Sequence, residues 1–292
     1  MLDRSSIIGL LLGSVLVVGS IVTQGELGLF LSLASLMIVA GGIVASTMVN
    51  YSFENIKESV RAILSLTSAQ SVDLRTDMEL LTMFARRVRT DGLLVLDSDI
   101  KHIKNEFLEN GLRLAVDGFK KESLDSILQD EIQSREKQID TSINVLHSMA
   151  GYAPAFGMIG TVIGMILMLQ NIEDPQSLGA GLSVALLTTL YGTMFANMLL
   201  GPMAGKLEFL SELDLNRKEM IRMGILSMVE GENPRIMEKK MLIYLDPKSR
   251  AEYTMYHEGM RISKERDEKF YKLWVEQQNK EWQDLKEILE TG

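Results

Sequence analysis

Two uncharged stretches of this chain carry side-chain oxygens at helical spacing. In Ala153-Pro-Ala-Phe-Gly-Met-Ile-Gly-Thr-Val-Ile-Gly164, the residues Pro154, Gly157, Thr161 and Gly164 recur at i, i+3, i+7 and i+10 and share one helical face. Proline frees one backbone carbonyl from its amide partner, and the threonine adds a hydroxyl. The second stretch, Ala185-Leu-Leu-Thr-Thr-Leu-Tyr-Gly192, puts Ala185, Thr188 or Thr189, Gly192 and Ala196 on a matching small face, with Asn197 nearby. Hydroxyls and freed carbonyls can replace water around a small cation. The same small faces also let two helices approach closely in lipid, and threonine hydroxyls bond back to their own helix. Packing accounts for the Gly and Ala positions. For Thr161 and Thr189 the residue chemistry leaves both roles open. Neither stretch contains Asp or Glu. An ion path driven by a membrane potential uses an intramembrane carboxylate, so a conducting protein of this kind must take its acid from a partner helix.

Other chemistries find little support. The net charge of −9 lacks the basic face that nucleic acid requires. There is no cysteine, which removes disulfides, thiolate metal sites and Cys nucleophiles. His102, His147 and His257 are scattered, and neither a P-loop nor a dinucleotide fingerprint occurs. The expectation is therefore no enzyme, no cofactor and no tightly bound metal.

The elements that must position the two threonine stretches are long apolar helices. Four segments, 5–25, 27–53, 141–172 and 175–205, have no Asp, Glu, Lys or Arg, and crossing a bilayer takes about 20 apolar residues. The pattern predicts an all-α membrane protein with four transmembrane helices, near 5–24, 28–50, 148–170 and 178–202, and a helical cytoplasmic domain. Residues 1–53 and 141–205 form two hairpins, with turns at Gly25-Glu-Leu27 and Asn171–Gly179. The first apolar run lacks a clear small-residue cleavage site and reads as a retained helix rather than a signal peptide. Every Lys and Arg falls in the N-terminal tip, in 54–140 or after Gly205, so by the positive-inside rule these regions and both termini are cytoplasmic.

The cytoplasmic segments read as helical. Apolar residues recur at Ile56, Val60, Ile63 and Leu64, and again at Leu80, Leu81, Phe84 and Val88. Gly92, Gly111 and Gly118 mark expected breaks, and Asn233-Pro234 interrupts the tail. Beyond Pro247 a charged stretch bearing Tyr253, Tyr256, Phe270, Tyr271, Trp274 and Trp282 reads as a solvated amphipathic helix.

Through Ala153–Gly164, Val184-Ala-Leu-Leu-Thr-Thr-Leu-Tyr-Gly192 and Glu230-Gly-Glu-Asn-Pro-Arg235, the sequence resembles the MotA/PomA family of flagellar stator subunits, within the MotA/TolQ/ExbB superfamily. The resemblance runs to about Glu252 and is greatest to the sodium-type PomA branch. It implies an ion-channel subunit in the bacterial inner membrane, a homopentamer surrounding two copies of a MotB/PomB-type partner that supplies the missing Asp. It implies torque on the rotor protein FliG through the cytoplasmic loop. Carried over by position, Arg89 and Asp97 match the rotor-contacting pair, with Arg86 and Arg87 beside them; Asp97 stands where Glu is more usual. Pro154 and Pro202 match the family's two functional prolines. Thr161, Thr188 and Thr189 match the sodium-associated threonines, which implies transient Na⁺ near Thr161 and Thr189. A proton-driven stator and an ExbB/TolQ-like energiser of another envelope system are the alternatives.

Overall fold

The structure is a computed structural model that describes residues 4–25, 27–65, 74–170, 175–259 and 276. The described residues form helices and short connections, with no strand among them. Helix α1 is Arg4–Gln24. A 3₁₀ turn at Leu27–Phe30 leads into α2 (33–50), which begins at Leu33–Leu36, passes through a π turn at Met37–Gly41 and ends with Gly42–Asn50. Then come α3 (Phe53–Ser65), α4 (Leu74–Asp91), a 3₁₀ turn at Leu93–Leu96, the short α5 (Asp97–Ile100) and α6 (Glu106–Val116). The 50-residue α7 is Lys121–Gln170. Helix α8 (175–229) joins Pro175–Met194, a second π turn at Phe195–Leu200 and Gly201–Val229. Helices α9 (Pro234–Met241) and α10 (Pro247–Gly259) complete the described chain.

Gly28–Asn50, Lys121–Gln170 and Leu178–Val229 are each long and apolar enough to cross a membrane, and the shorter apolar stretch Leu11–Thr23 lies within α1. Their outward side chains are apolar over long distances, including Val15, Leu16, Val44, Ile166 and Leu186. In water such surfaces would be costly, whereas in hydrocarbon they match the solvent.

The chain divides into two compact units. One comprises 1–71 and 135–212, the other 72–134 and 213–292. In the first, Val39, Ile43, Ala153 and Ala196 form a buried apolar cluster, so both π turns contribute to one contact. A second cluster joins Ile139, Ile143 and Leu146 of α7 to Leu200, Ala204 and Leu207 of α8, with Ala62 and Ile63 of α3 packed against it. Polar clamps fix the ends of α2. Tyr191 donates its hydroxyl to the Phe30 carbonyl at 2.5 Å and accepts from the Ser32 amide at 3.0 Å. At the other end the Tyr51 hydroxyl donates to the Asn144 carbonyl at 3.1 Å and meets Ser148 Oγ at 2.9 Å.

The second unit is built on a core including Leu81, Phe84, Leu108, Leu124, Leu128, Met220, Ile221 and Ile225. The buried Asp77 carboxylate receives a two-pronged guanidinium contact from Arg217, whose Nη2 lies 3.0 Å from Oδ1. Removing one member of such a pair strands the other charge away from water. Arg217→Ala is therefore expected to cost about 3 kcal/mol, measured as a lowered thermal unfolding midpoint of the detergent-solubilised chain.

The structure revises three expectations. Gly111 does not break a helix. It lies inside α6, where an added Cβ would sit 2.5 Å from Ile225 Cδ1, so the glycine makes room for a crossing helix. Part of the turn expected over Asn171–Gly179 is helix, because α8 starts at Pro175, a residue suited to the first helical position. Tyr253, expected in a solvated stretch, is buried and donates its hydroxyl to Glu238 at 2.7 Å. Phe270, Tyr271, Trp274 and Trp282 lie outside the described residues.

Candidate functional site

Helices α7 and α8 meet through their small residues. An added Cβ at Gly192 would lie 2.6 Å from the Ala153 carbonyl oxygen, at Gly160 2.4 Å from the Thr188 side chain, and at Gly164 2.5 Å from the Gly181 carbonyl oxygen. Backbone thus lies against backbone along the pair, as small-residue faces permit in lipid. Gly164→Ala forces the backbones apart, because the obstructing atoms are main chain. Gly179→Ala, with open space around it, serves as the control. The expected result is a loss of about 1–3 kcal/mol for Gly164→Ala, the usual cost of overpacking, and little change for the control, read as thermal midpoints in detergent.

This close approach brings the threonines together. Thr161 Oγ1 and Thr189 Oγ1 are 2.6 Å apart. Both also lie within reach of the Ala185 carbonyl, Thr161 at 3.1 Å and Thr189 at 3.2 Å, and Thr161 reaches the Gly157 carbonyl at 3.0 Å. Thr189 is exposed and Thr161 half-buried, so the hydroxyl pair opens to one side of the helix pair. Thr188 is fully buried, and its hydroxyl donates to the Val184 and Ala185 carbonyls at 2.9 and 3.1 Å. The result is a node of three hydroxyls around one carbonyl, within sequence that carries no formal charge.

Pro154 lies within the continuous α7, half-buried, two turns before Thr161 and outside the hydroxyl node. Pro202 is exposed and stands one residue beyond the π turn, after Gly201. Proline cannot donate to the carbonyl four residues back, and the helix here is wound wider, with the Gly201 amide bonded to the Ala196 carbonyl. The distortion that accompanies Pro202 takes the form of a π turn just before it.

In the second unit, α4 ends at Asp91 and the chain turns at Gly92, whose φ of 84° is open to glycine at little cost. The Gly92 amide closes the helix on the Val88 carbonyl at 2.9 Å. Arg89 and Asp97 stand exposed on the two arms of this corner. Arg87 is turned inward and pairs with Asp99, whose side chain is almost wholly buried. Arg86 is half-buried. Of the three arginines, Arg89 is the one that presents most openly. The pairing of Arg87 with Asp99 has no signature in local spacing, and neither does the Tyr191 clamp.

The motif Glu230–Arg235 forms a structural corner. Glu230 pairs with Lys121, Gly231 adopts φ 67°, and the Glu232 amide returns to the Ser227 carbonyl at 3.0 Å. Asn233 Oδ1 caps α9 at the Arg235 amide, and Pro234 opens that helix. Hydrogen bonds from Lys240 and Ser227 hold the Glu232 carboxyl below its usual range.

The MotA/TolQ/ExbB proton channel family matches residues 99–220. Motility protein A of Treponema pallidum is 34% identical over 255 residues, which is 87% of this chain and 98% of that protein. The chain belongs to this family. PomA of Vibrio alginolyticus is 28% identical over 250 residues, covering 86% of this chain and 98% of that protein. Among solved structures, the flagellar MotAB stator complex of Bacillus subtilis superposes with a TM-score of 0.78 at 28% identity, over 86% of this chain and 99% of that one. The family's matched region contains α7 and most of α8, and thus the whole hydroxyl node.

Proposed function

We propose that this chain is the ion-channel subunit of a flagellar stator. It crosses the bacterial inner membrane four times with both termini cytoplasmic, α1 being the additional span. The observation that carries this reading is the Thr161–Thr189 hydroxyl pair, 2.6 Å apart within an uncharged helix pair. A node rich in oxygen but without an acid can strip part of a cation's hydration shell and cannot by itself hold the ion. That suits a subunit whose carboxylate arrives on a MotB/PomB-type helix. Five copies around a partner dimer would present five such nodes. Hydroxyls favour Na⁺ as the transported ion, and it is the threonine node, rather than overall identity, that supports sodium. Protons are the second reading, favoured by the same short contact, which is also a hydrogen-bonded relay. Pro154 and Pro202 serve as coupling points. Arg89 and Asp97 face FliG, with Arg86 and Arg87 behind them.

The test is swimming speed against external Na⁺ at fixed pH, in a motile host whose only stator is this chain with its partner. Speed that rises and saturates with Na⁺ supports the sodium reading. Speed that ignores Na⁺ and collapses with a protonophore assigns the driving ion to protons. A host that builds filaments and never swims removes the stator reading.

A further inference from the structure

Helix α9 and the turn after it show two different sides. Met237 and Met241 are fully buried in the core with Leu81 and Phe84. Ile236 and Ile243 lie two helical turns apart on the outer side and are 49% and 70% exposed. Arg235 and Lys239 are exposed beside them, and among the described residues neither forms an ion pair. In a chain of net charge −9, two bare isoleucines edged with unpaired bases call for an apolar, acidic partner.

The chain itself carries such a segment. At 100° per residue, Phe270, Trp274, Leu285 and Ile288 fall within about 60° of one another, while Lys272, Asn279 and Glu290 fall on the opposite side. Glu281 lies within the apolar arc and Asp284 at its edge. From Leu273 to Gly292 there are five carboxylates against two lysines. The segment also starts in the right place. Helix α10 is tied to the patch at both Ile243, whose carbonyl accepts from Arg250 at 2.9 Å, and Glu238, which accepts from Tyr253 at 2.7 Å. Ten residues separate its last residue, Gly259, from Phe270. Such a length reaches up to about 35 Å, ample for a return to α9.

We propose that the segment 270–289 docks on the outer side of α9, its apolar face covering Ile236 and Ile243 and its carboxylates meeting Arg235 and Lys239. This does not depend on the stator reading. Trp274 and Trp282 are the only tryptophans of the chain, and there is no cysteine, so a contact-quenched label reports the docking directly. The full chain with its partner carries Ile243→Cys labelled with bimane, a fluorophore that tryptophan quenches on contact. Trp274→Phe with Trp282→Phe should brighten the label, and so should ending the chain at Gly259. A label at Leu94→Cys, exposed in the same unit, should not respond. Ile236→Asp should weaken docking about tenfold or more with an unchanged thermal midpoint, since the side chain is already exposed. Arg235→Glu and Lys239→Glu should each weaken it about two- to fivefold. The exchange Arg235→Lys with Lys239→Arg should keep it. A label at 243 indifferent to the loss of both tryptophans overturns the proposal, and so does an equal response at position 94. If iodide cannot reach the label at 243 once the chain ends at Gly259, a second copy of the chain covers the patch, which also overturns it. Quenching that survives both charge reversals overturns the role of the bases.

Discussion

Thr161→Val is expected to shift the dependence of swimming speed on Na⁺ about 5- to 150-fold toward higher Na⁺, and Thr189→Val to do the same. Valine keeps the shape and volume of threonine and removes only the hydroxyl, so the small-residue contact of α7 with α8 survives. What is lost is the 2.6 Å hydroxyl pair and its reach to the Ala185 carbonyl. Losing one oxygen ligand of a partly dehydrated ion costs about 1–3 kcal/mol for the unmet group, or roughly 5- to 150-fold in occupancy. The check has two parts: swimming speed against Na⁺, and thermal stability of the purified complex. Thr161→Ser restores the oxygen and is expected to regain most of the speed at raised Na⁺. If Thr161→Val swims normally, Thr161 is a packing residue and the ion path lies elsewhere.

The second large effect separates two arginines that are neighbours in sequence. Arg89→Glu is expected to leave stability within about 0.5 kcal/mol of the parent, because the side chain is exposed. It should nevertheless abolish most of the torque, measured as the stall load of tethered cells. Reversing an opposing rotor charge should restore it. Arg87→Ala should do the opposite at the level of folding. It strands the buried Asp99 carboxylate, an expected loss of about 2–3 kcal/mol, seen as a lowered thermal midpoint before any effect on torque is considered. A rotor-side charge reversal should not rescue Arg87→Ala. If Arg89→Glu swims normally in a host with a single stator type, the corner at Gly92 does not carry the rotor contact.

The threonine node was legible because its residue types and its spacing agreed. Pro154, Gly157, Thr161 and Gly164 announce one face of a helix, and Ala185, Thr188 or Thr189 and Gly192 announce its counterpart. Close packing of two small faces then leaves the hydroxyls little room to be apart. Which threonine would turn inward was not legible. Thr188 and Thr189 are adjacent, and only the crossing at Gly160 decides that Thr188 is the buried one. The π turns were not foreseen either, because helical periodicity tolerates one extra residue, and a proline such as Pro202 marks a distortion without fixing its form. Gly111 misled because a glycine that makes room for Ile225 looks, in sequence, like one that ends a helix. For α3, periodicity showed that it was helical and could not show that the core would take Ile63 and leave Val60 and Leu64 exposed. The Arg87–Asp99 and Asp77–Arg217 pairs join residues 12 and 140 positions apart, separations that local patterning does not reach.

The uncharged runs in α2, α7 and α8 have an electrical consequence. A charge moved through the full membrane field gains or loses about 2.3 kcal/mol per 100 mV. From 27 to 53, 141 to 172 and 175 to 205 this chain offers the field no formal charge to act upon. In the stator proposed above, the voltage does its work on the travelling ion and on the partner carboxylate that receives it, and these helices serve as an electrically silent bearing around that step. Their shape is then free to change with ion occupancy without a voltage cost of its own.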